Sequence, residues 1–378
     1  METIRYSKEN LDFIKELRSE VKNYFIERNI KQYGNHQIII KTIFMALLYF
    51  IPYVLMITGI CSTVIPALFC YLIMGFGMSG LGMTTMHDAN HGSFSENRKI
   101  NQLFSMSLYL LGGFPPNWRY QHNTLHHGFT NIEGHDEDIA PVGVLRFSPH
   151  QPVKKIHRYQ YLYAWFFYSL MTISWITVKD FKRLAGYNKM GVVLSPDKGF
   201  RSLLTVLILS KIIYYAIFLI LPLILLPISW FWVVSGFILM HLTSGIILST
   251  IFQTAHVVPT STYPLPSNNN VMTNNWAIHQ LYTTCDFSPN SKIFSWFIGG
   301  LNYQVVHHLF PNISHIHYKN LAPIVKSTAQ KYGLPYHVNR NFLTAVNEHI
   351  KMLKKLGDNL YVSNPVANPL HLDGSIAV

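Results

Sequence analysis

Histidine is the residue type in this sequence whose spacing could support chemistry. The chain has 19 histidines in 378 residues, and several of them occur in short groups. Residues three or four positions apart lie on one face of a helix, so each group would present its imidazoles in one direction. The groups are His87 with His91, His122 with His126 and His127, and His307 with His308 after Gln304. Two doublets that each have a partner three or four residues upstream are not a chance pattern.

This number of histidines predicts a site for two metal ions. Neutral imidazole binds iron, copper and zinc well, whereas a structural zinc is satisfied by four ligands. His256 follows the last long apolar run, and His279 follows Asn275 by four positions. With four to five ligands for each metal ion, the predicted ligands are His87, His91, His122, His126, His127, His256, His279, His307 and His308.

Other residues near these groups suggest supporting roles. Carboxylates could orient the imidazole N–H groups, and the candidates are Asp88, Asp136, Glu137 and Asp138, although the last three also suit a solvated loop or a helix cap. Trp118, Arg119 and Tyr120 precede the second group and are interpreted as substrate or headgroup contacts, or as membrane-interface anchors. His315 and His317 are interpreted as headgroup or CoA contacts rather than as metal ligands.

Four apolar segments are long enough to cross a membrane and must position these groups. They cover residues 43–59, 62–86, 204–226 and 230–257, and short links pair them as two hairpins. Lys211 is the one basic residue inside a segment, and we expect its stem to extend toward the surface. The other Lys and Arg residues lie in the terminal and central segments, which places both termini and the metal site in the cytoplasm.

The remaining segments complete the predicted organisation. Residues 1–41 form an amphipathic cytoplasmic segment, in which Ile14, Leu17, Val21 and Phe25 share the face of a helix that lies on the membrane. Residues 42–361 form the membrane domain, with interfacial helices at 102–114 and 161–178, and residues 362–378 form a disordered tail. The predicted fold is all-α and membrane-integral: four membrane helices with a cytoplasmic helical cap that holds two metal ions.

Composition excludes several classes of protein. Hydrophobic residues make up 49% and charged residues 13%, which leaves too little polar surface for a water-soluble globule of this size. The three cysteines show no disulfide pattern. The formal charge of +12 suits anionic headgroups or an anionic acyl carrier, whereas no basic recognition helix or zinc-finger spacing indicates nucleic acid.

At the histidine groups the chain resembles the membrane fatty acid desaturase family, which has three histidine boxes in this order. Gln304 at the head of the third box is similar to the front-end desaturases, which act between an existing double bond and the carboxyl end. The flanks resemble bacterial acyl desaturases of the linoleoyl-CoA desaturase type. These flanks are Thr130-Asn131-Ile132, Gly134-His135-Asp136-Glu137-Asp138-Ile139 and Leu309-Phe310-Pro311.

The resemblance implies two iron ions, O2 as a co-substrate and an external electron donor of the ferredoxin or cytochrome b5 type, since the chain has no His-Pro-Gly-Gly haem motif. In stearoyl-CoA-type members, a histidine leads the third box, and an Asn-x-x-x-His element adds a ligand while its Asn holds a water. Here Gln304 and Asn275 occupy those positions, which implies supporting or water-mediated contacts, as for Asp88 and Asp138. Either His256 or Gln304 completes the ligand set.

The expected reaction is O2-dependent introduction of a cis double bond into a long-chain fatty acyl group on CoA, a lipid or a carrier protein, with delta-6-like or delta-5-like front-end selectivity. Hydroxylation of an alkyl chain at the same metal site is the alternative. A metal transporter would place histidines along its spans, whereas the boxed histidines lie at or beyond the span ends. The expected location is a bacterial inner membrane, with a separate redox protein as partner.

Overall fold

The computed structural model describes residues 4–140 and 143–361, so the predicted disordered tail at 362–378 lies outside the described residues. Helices dominate this part of the chain, which confirms the prediction of an all-α membrane fold. The only strands among the described residues form two short parallel pairs. The strands are Arg5–Tyr6 with Val271–Met272 and Cys285–Phe287 with His337–Asn339.

Four helices are long and apolar enough to cross a membrane among the described residues, as predicted. They are the first membrane helix His36–Ile57, the second Val64–His91, the third Phe200–Leu225 and the fourth Trp230–His256. The first begins seven residues before the predicted 43, because Asn35 caps it by accepting a hydrogen bond from the Gln37 backbone N–H. The second runs on through His91, so the first histidine box belongs to the membrane helix itself.

The second membrane helix is the centre of the membrane part, because it packs against both the first and the fourth. Their shared core contains Tyr49, Tyr71, Met74 and Met240, all fully buried. The outward faces keep large apolar side chains exposed, such as Ile65 at 80%. Apolar surface of this extent is expected against lipid rather than water.

Shorter helices and turns connect the membrane helices and build the rest of the molecule. In chain order they are Asp12–Glu27, Arg98–Ser105, Ser107–Leu110, Pro115–Arg119, Tyr120–His126 (a π-helix), His127–Phe129, Lys155–Tyr159 (3-10), Gln160–Ser169, Met171–Ser174, Trp175–Lys179 (π), Asp180–Lys189, Trp276–Thr283, Lys292–Phe297, Gln304–Leu309, His315–His317 (3-10), Tyr318–Lys331 and Phe342–Gly357.

The N-terminal helix Asp12–Glu27 differs from the prediction of a helix that lies on the membrane. Its apolar face includes Phe13, Leu17 and Val21, and these side chains are buried in a cluster with the helix Tyr318–Lys331 and the third histidine box. Burial of one such side chain contributes about 1.5–3 kcal/mol. An amphipathic pattern shows that a face is covered, and here protein covers it instead of lipid.

The two predicted interfacial segments are helical in part. Residues 102–114 fall on Arg98–Ser105 and Ser107–Leu110, and residues 161–178 fall within the helices that run from Gln160 to Lys189. In the second segment Leu162 and Phe166 are more than 60% exposed, as expected of a helix on a membrane surface. The interfacial location of both segments stays a prediction.

Lys211 also differs from its predicted behaviour. Its side chain is buried, and its Nζ donates to Asp180 Oδ2 at 2.6 Å and to the carbonyl oxygens of Gly112 and Trp175. A buried ammonium group is tolerated when it is paired and hydrogen-bonded. The third membrane helix is therefore fixed to the central segment by an ion pair.

Candidate metal centre

The first histidine box lies at the end of the second membrane helix. A π-helical turn, Gly82–Met86, directly precedes His87–His91, and such turns occur frequently at functional sites. His87 and His91 share a helix face, with ring centroids 4.7 Å apart. Gly92 ends the helix with a φ of 74°, a left-handed conformation that suits glycine.

A second π-helix, Tyr120–His126, carries most of the second histidine box. Because π-helical hydrogen bonds join residues five positions apart, His122 and His127 come to the same face. Their Nε2 atoms are 3.3 Å apart. An ordinary α-helix would favour the pair at 122 and 126, so the π-helix explains how both members of the doublet can point toward the centre.

The third histidine box lies on the short helix Gln304–Leu309. The Asp286 carboxylate accepts a hydrogen bond from the Val305 backbone N–H at 2.8 Å and so caps this helix. The preceding turn packs directly against the π-helical turn before the first box, because a Cβ atom on Gly299 would collide with the Met83 carbonyl oxygen. Glycine at 299 therefore allows the first and third boxes to meet.

His256 is the last residue of the fourth membrane helix and joins the boxes. Its Nδ1 lies 3.2 Å from the Thr283 carbonyl oxygen, which leaves Nε2 free to face the cluster. That Nε2 is 3.2 Å from His308 Nε2. Ligand bonds of about 2.1 Å place two nitrogens of one metal ion about 3.0–3.4 Å apart, so this spacing fits a shared ion.

The histidines form two groups. Within each group, the nitrogen atoms that could bind a metal ion all lie within 4.8 Å of one another. The ring of His127 lies between the groups, with centroids 4.9 Å from His91 and 4.4 Å from His308. One group is His87, His91, His122 and His307, and the other is His126, His256 and His308; a third grouping joins His122 and His126 to Asp138. Two adjacent groups match the predicted pair of metal positions.

The unpaired nitrogens of this cluster fit a metal centre. Both ring nitrogens of His87, and the Nε2 atoms of His91 and His307, are buried without a hydrogen-bond partner among the described residues. Each unsatisfied buried polar group costs about 1–3 kcal/mol. Metal ions would use these lone pairs, and an all-imidazole donor set suits iron, copper or zinc.

Among the described residues, His127 lies between the two groups, and His279 is the one predicted ligand that lies away from both. Its Nε2 lies 2.8 Å from the Thr130 carbonyl oxygen, and its ring packs on Tyr6. Asn275 does not lie at the cluster either, because its side chain caps the helix Trp276–Thr283 and donates to the carbonyl oxygens of Glu9 and Asn10. The structure therefore favours His256 over His279 as a ligand.

Two carboxylates lie directly beside the cluster, whereas Glu137 pairs with Arg183 and Tyr187. His126 Nδ1 lies 3.2 Å from both Asp136 carboxylate oxygens and 3.4 Å from Asp138. Burial alone lowers the pKa of His126, but these two carboxylates outweigh it and raise that pKa to about 9. Asp88 Oδ2 accepts hydrogen bonds from Ser314 Oγ at 2.8 Å and from the His315 backbone N–H at 3.1 Å. Asp136 and Asp138 therefore fix the orientation of His126.

Four other histidines of the cluster are kept neutral. Burial, followed by the neighbouring histidines, holds the pKa values of His122, His127, His307 and His308 well below their usual range. A neutral imidazole has a lone pair to offer a metal ion, whereas a protonated one does not. These four side chains are therefore ready to bind metal at neutral pH.

Sequence reasoning missed two side chains that orient the ligands. Gln280 Oε1 lies 2.9 Å from His308 Nδ1 and also accepts from Thr130 Oγ1. The Tyr318 hydroxyl lies 3.1 Å from His307 Nδ1. In the sequence, Gln280 only follows His279 and Tyr318 only follows the third box. Such proximity does not show which way a side chain points.

Of the residues predicted to support the metal site or to contact substrate, Gln304 and Trp118 contact histidines of the cluster, whereas Tyr120 does not. Gln304 is buried within hydrogen-bonding reach of His256, and its Nε2 has no partner among the described residues. The Trp118 ring packs on His122, with centroids 4.4 Å apart, and also contacts His87 and His91. Arg119 and Tyr120 are half-buried, and the Tyr120 ring packs on Tyr187 rather than on a histidine.

Comparison with known proteins agrees with this geometry. The family model described as fatty acid desaturase matches residues 62–340. The chain belongs to the fatty acid desaturase family. It is 33% identical to an sn-1 linoleoyl-lipid 6-desaturase of Arthrospira platensis, over 93% of this chain and 94% of that protein. A protein of the same name from Synechocystis sp. is 32% identical, over 91% and 95%.

A further relative is the acyl-lipid (8-3)-desaturase of Physcomitrium patens, which is 33% identical over 94% of this chain and 74% of that protein. Family membership makes this protein a membrane oxidoreductase of the desaturase type, and it confirms the resemblance that the histidine boxes indicated. The histidine groups are therefore the candidate metal centre of a desaturase.

Proposed function

We propose that this protein introduces a cis double bond into a long-chain fatty acyl group of a membrane lipid, at a front-end position, with two iron ions and O2. The observation that carries the proposal is the convergence of eight histidines, seven of them buried, from the ends of two membrane helices and from the short helices of the second and third boxes. The proposed ligands are His87, His91, His122, His126, His127, His256, His307 and His308. The names of the relatives, which include a linoleoyl-lipid 6-desaturase and an acyl-lipid (8-3)-desaturase, support a lipid-linked substrate.

The overall reaction removes two hydrogen atoms from adjacent methylenes. With O2, two electrons and two protons, it yields one double bond and two water molecules. The iron pair would supply the O2 activation that unactivated C–H bonds require. The protein's task is to hold the ligands rigidly and to position two adjacent carbons beside them.

Trp118 is the proposed contact for the acyl chain near the metals. Its indole ring joins the apolar core of the membrane helices to the rings of His87 and His122. An acyl chain that approaches from the lipid side therefore reaches the histidines next to this ring. A flat, rigid aromatic wall restricts the positions that a flexible methylene chain can adopt.

Gln304 supports the front-end assignment by its position. It occupies the head of the third box and lies beside His256, which takes the ligand role there. We propose that Gln304 orients His256 and does not bind metal directly. Asp136 and Asp138 hold His126 in the same way, whereas Asp88 holds the backbone of the segment at Ser314 and His315.

The electrons would come from a separate donor of the ferredoxin or cytochrome b5 type. The excess of Lys and Arg in the terminal and central segments supports a cytoplasmic location for the termini and for the metal centre, in a bacterial inner membrane. A soluble donor would then reach the centre from the cytoplasm.

Gas chromatography of lipids from a host that expresses the chain tests this function. We expect a new unsaturated fatty acid with the wild type and with His36→Ala, since His36 is exposed at the start of the first membrane helix. His307→Ala should give no new double bond. A hydroxylated product would contradict desaturation, and a double bond that survives His307→Ala would contradict the metal centre.

A further inference from the structure

A cavity of 410 Å³ lies beside the N-terminal end of the first membrane helix, outside the metal centre. We call it the lysine cavity, after Lys41, Lys292 and Lys319 in its wall. His315 and Trp296 also line it. The wall brings together three segments that are far apart in sequence: the first membrane helix, the helix Lys292–Phe297 and the start of the helix Tyr318–Lys331.

The lysine cavity has positive charge without a matching carboxylate. Among the described residues, none of its three lysines has an Asp or Glu oxygen within 4.0 Å. Lys41 is only 4% exposed, and its Nζ lies 2.8 Å from His315 Nε2. The nearest acid behind this pair is Asp88, which is 3.0 Å from His315 Nδ1 and is already hydrogen-bonded to Ser314.

Lys41 therefore has unused donor capacity. An ammonium group carries three N–H donors, and the structure gives Lys41 one hydrogen-bond partner among the described residues. Burial of a cation is costly unless it is paired. An anion in the cavity would supply that partner, and the nearby N-terminus of the first membrane helix also favours negative charge.

The cavity also has a wall that faces lipid. Ile40 lines it and is 59% exposed, and Trp296 is 37% exposed. Phe44, one turn further into the membrane, packs on Trp296 with ring centroids 5.2 Å apart. Ile293 on the same short helix is 85% exposed. A tryptophan between an apolar surface and a charged one is typical of the membrane–water boundary.

We propose that the lysine cavity binds the phosphate of an anionic phospholipid, with the acyl chains of that lipid along Ile40, Phe44 and Trp296. Basic pockets at the cytoplasmic ends of membrane helices bind anionic headgroups by the same chemistry. CoA also carries phosphates, but the exposed apolar surface that continues from this cavity favours a ligand with acyl chains in the membrane. This inference goes beyond the proposed function and does not require that the bound lipid be the substrate.

The test is a binding titration on the full chain in detergent, with dioctanoyl phosphatidylglycerol as the anionic probe and dioctanoyl phosphatidylcholine as the zwitterionic one. Native mass spectrometry counts the bound lipid without any turnover. We expect the wild type to bind the anionic lipid at least about tenfold more tightly, since each lysine near a lipid surface contributes about fivefold.

The variant Lys292→Gln/Lys319→Gln should lose about tenfold or more in affinity for the anionic lipid. Both lysines are exposed, so their substitution leaves the buried Lys41 contact in place. The control Lys326→Gln/Lys355→Gln removes the same charge at two exposed positions outside the cavity, and it should bind like the wild type. Iron content and circular dichroism confirm that each variant is folded.

Three results would overturn the inference: equal binding of the two lipids, equal affinity in the cavity variant and its control, or displacement of the lipid by CoA or by inorganic phosphate at concentrations similar to that of the lipid. The last result would assign the cavity to a soluble anion. Because binding is measured without catalysis, a protein that binds the lipid but makes no double bond would contradict only the proposed function.

Discussion

His256 and His308 face each other through their Nε2 atoms, 3.2 Å apart, although 52 residues separate them in the sequence. One is the last residue of the fourth membrane helix, and the other belongs to the third histidine box. Because each ring is held from behind, by the Thr283 carbonyl oxygen and by Gln280, the pair is preorganised for one metal ion.

His256→Ala and His279→Ala should differ in their effect on iron. His256 lies within a ligand group, whereas His279 contacts a backbone carbonyl oxygen. We expect His256→Ala to lose iron and desaturase activity. His279→Ala should retain iron in the folded fraction, with a lower thermal midpoint because a buried hydrogen bond is lost. Iron per folded chain, measured by mass spectrometry of the metal, checks both variants. The reverse order would assign the ligand role to His279 instead of His256.

Asp136→Asn should weaken iron binding and change its pH dependence. Asp136 and Asp138 raise the pKa of His126 to about 9, so below pH 9 iron must displace a proton from this ring. Iron affinity of the wild type should therefore rise about tenfold per pH unit from pH 7 to 8.5. The variant lowers the pKa of His126, which flattens this slope. At pH 9, where little proton competition remains in either protein, the variant should lose about 10–100-fold in affinity.

The control for Asp136→Asn is Asp197→Asn, which removes one exposed carboxylate far along the chain from the histidine boxes. It should keep the affinity and the slope of the wild type. Iron titration of the metal-free protein in detergent at several pH values makes the comparison. Parallel slopes for Asp136→Asn and the wild type would show that Asp136 does not set the protonation of His126.

Gln280→Leu should disturb His308 without removing a ligand. The change leaves His308 Nδ1 and the Thr130 hydroxyl without their shared acceptor, at a cost of about 1–3 kcal/mol. We expect iron affinity to fall about 10–100-fold, while Gln330→Leu at an exposed position should leave it unchanged. If Gln280→Leu binds iron like this control, Gln280 does not orient His308.

Asp286→Asn should remove a pH-dependent part of the stability. Burial outweighs the hydrogen bonds from Tyr336 and Val305 and raises the pKa of Asp286 from 3.8 to about 7. Between these values the folded state holds a proton that the unfolded state has released, so stability falls as pH rises toward 7. Asparagine can still accept the Val305 N–H bond but does not titrate.

The thermal midpoint in detergent measures this effect. The wild type should lose stability relative to Asp286→Asn between pH 5 and 7, and the difference should be constant above about pH 8. Asp197→Asn should show no such change relative to the wild type. A wild-type-minus-variant difference that is the same at every pH would mean that Asp286 is ionised throughout.

Much of this site could be predicted from the sequence, because apolar length predicts membrane helices and histidine spacing predicts metal ligands. The boxed histidines and His256 lie together in the structure. The structure differs from the sequence-based predictions in where two side chains point and which groups they contact. His279 has the right spacing from Asn275 but faces Thr130, and Lys211 has a buried partner in Asp180, 31 residues away. Periodicity shows which helix face carries the apolar or histidine residues, but it does not show which part of the protein or membrane covers that face.

Metal analysis and X-ray absorption at the iron edge measure whether the purified protein holds an imidazole-ligated iron pair. We expect two irons per chain, each with a coordination shell dominated by imidazole nitrogens at about 2.1 Å. A single metal ion per chain, or a sulfur-containing shell, would contradict this expectation.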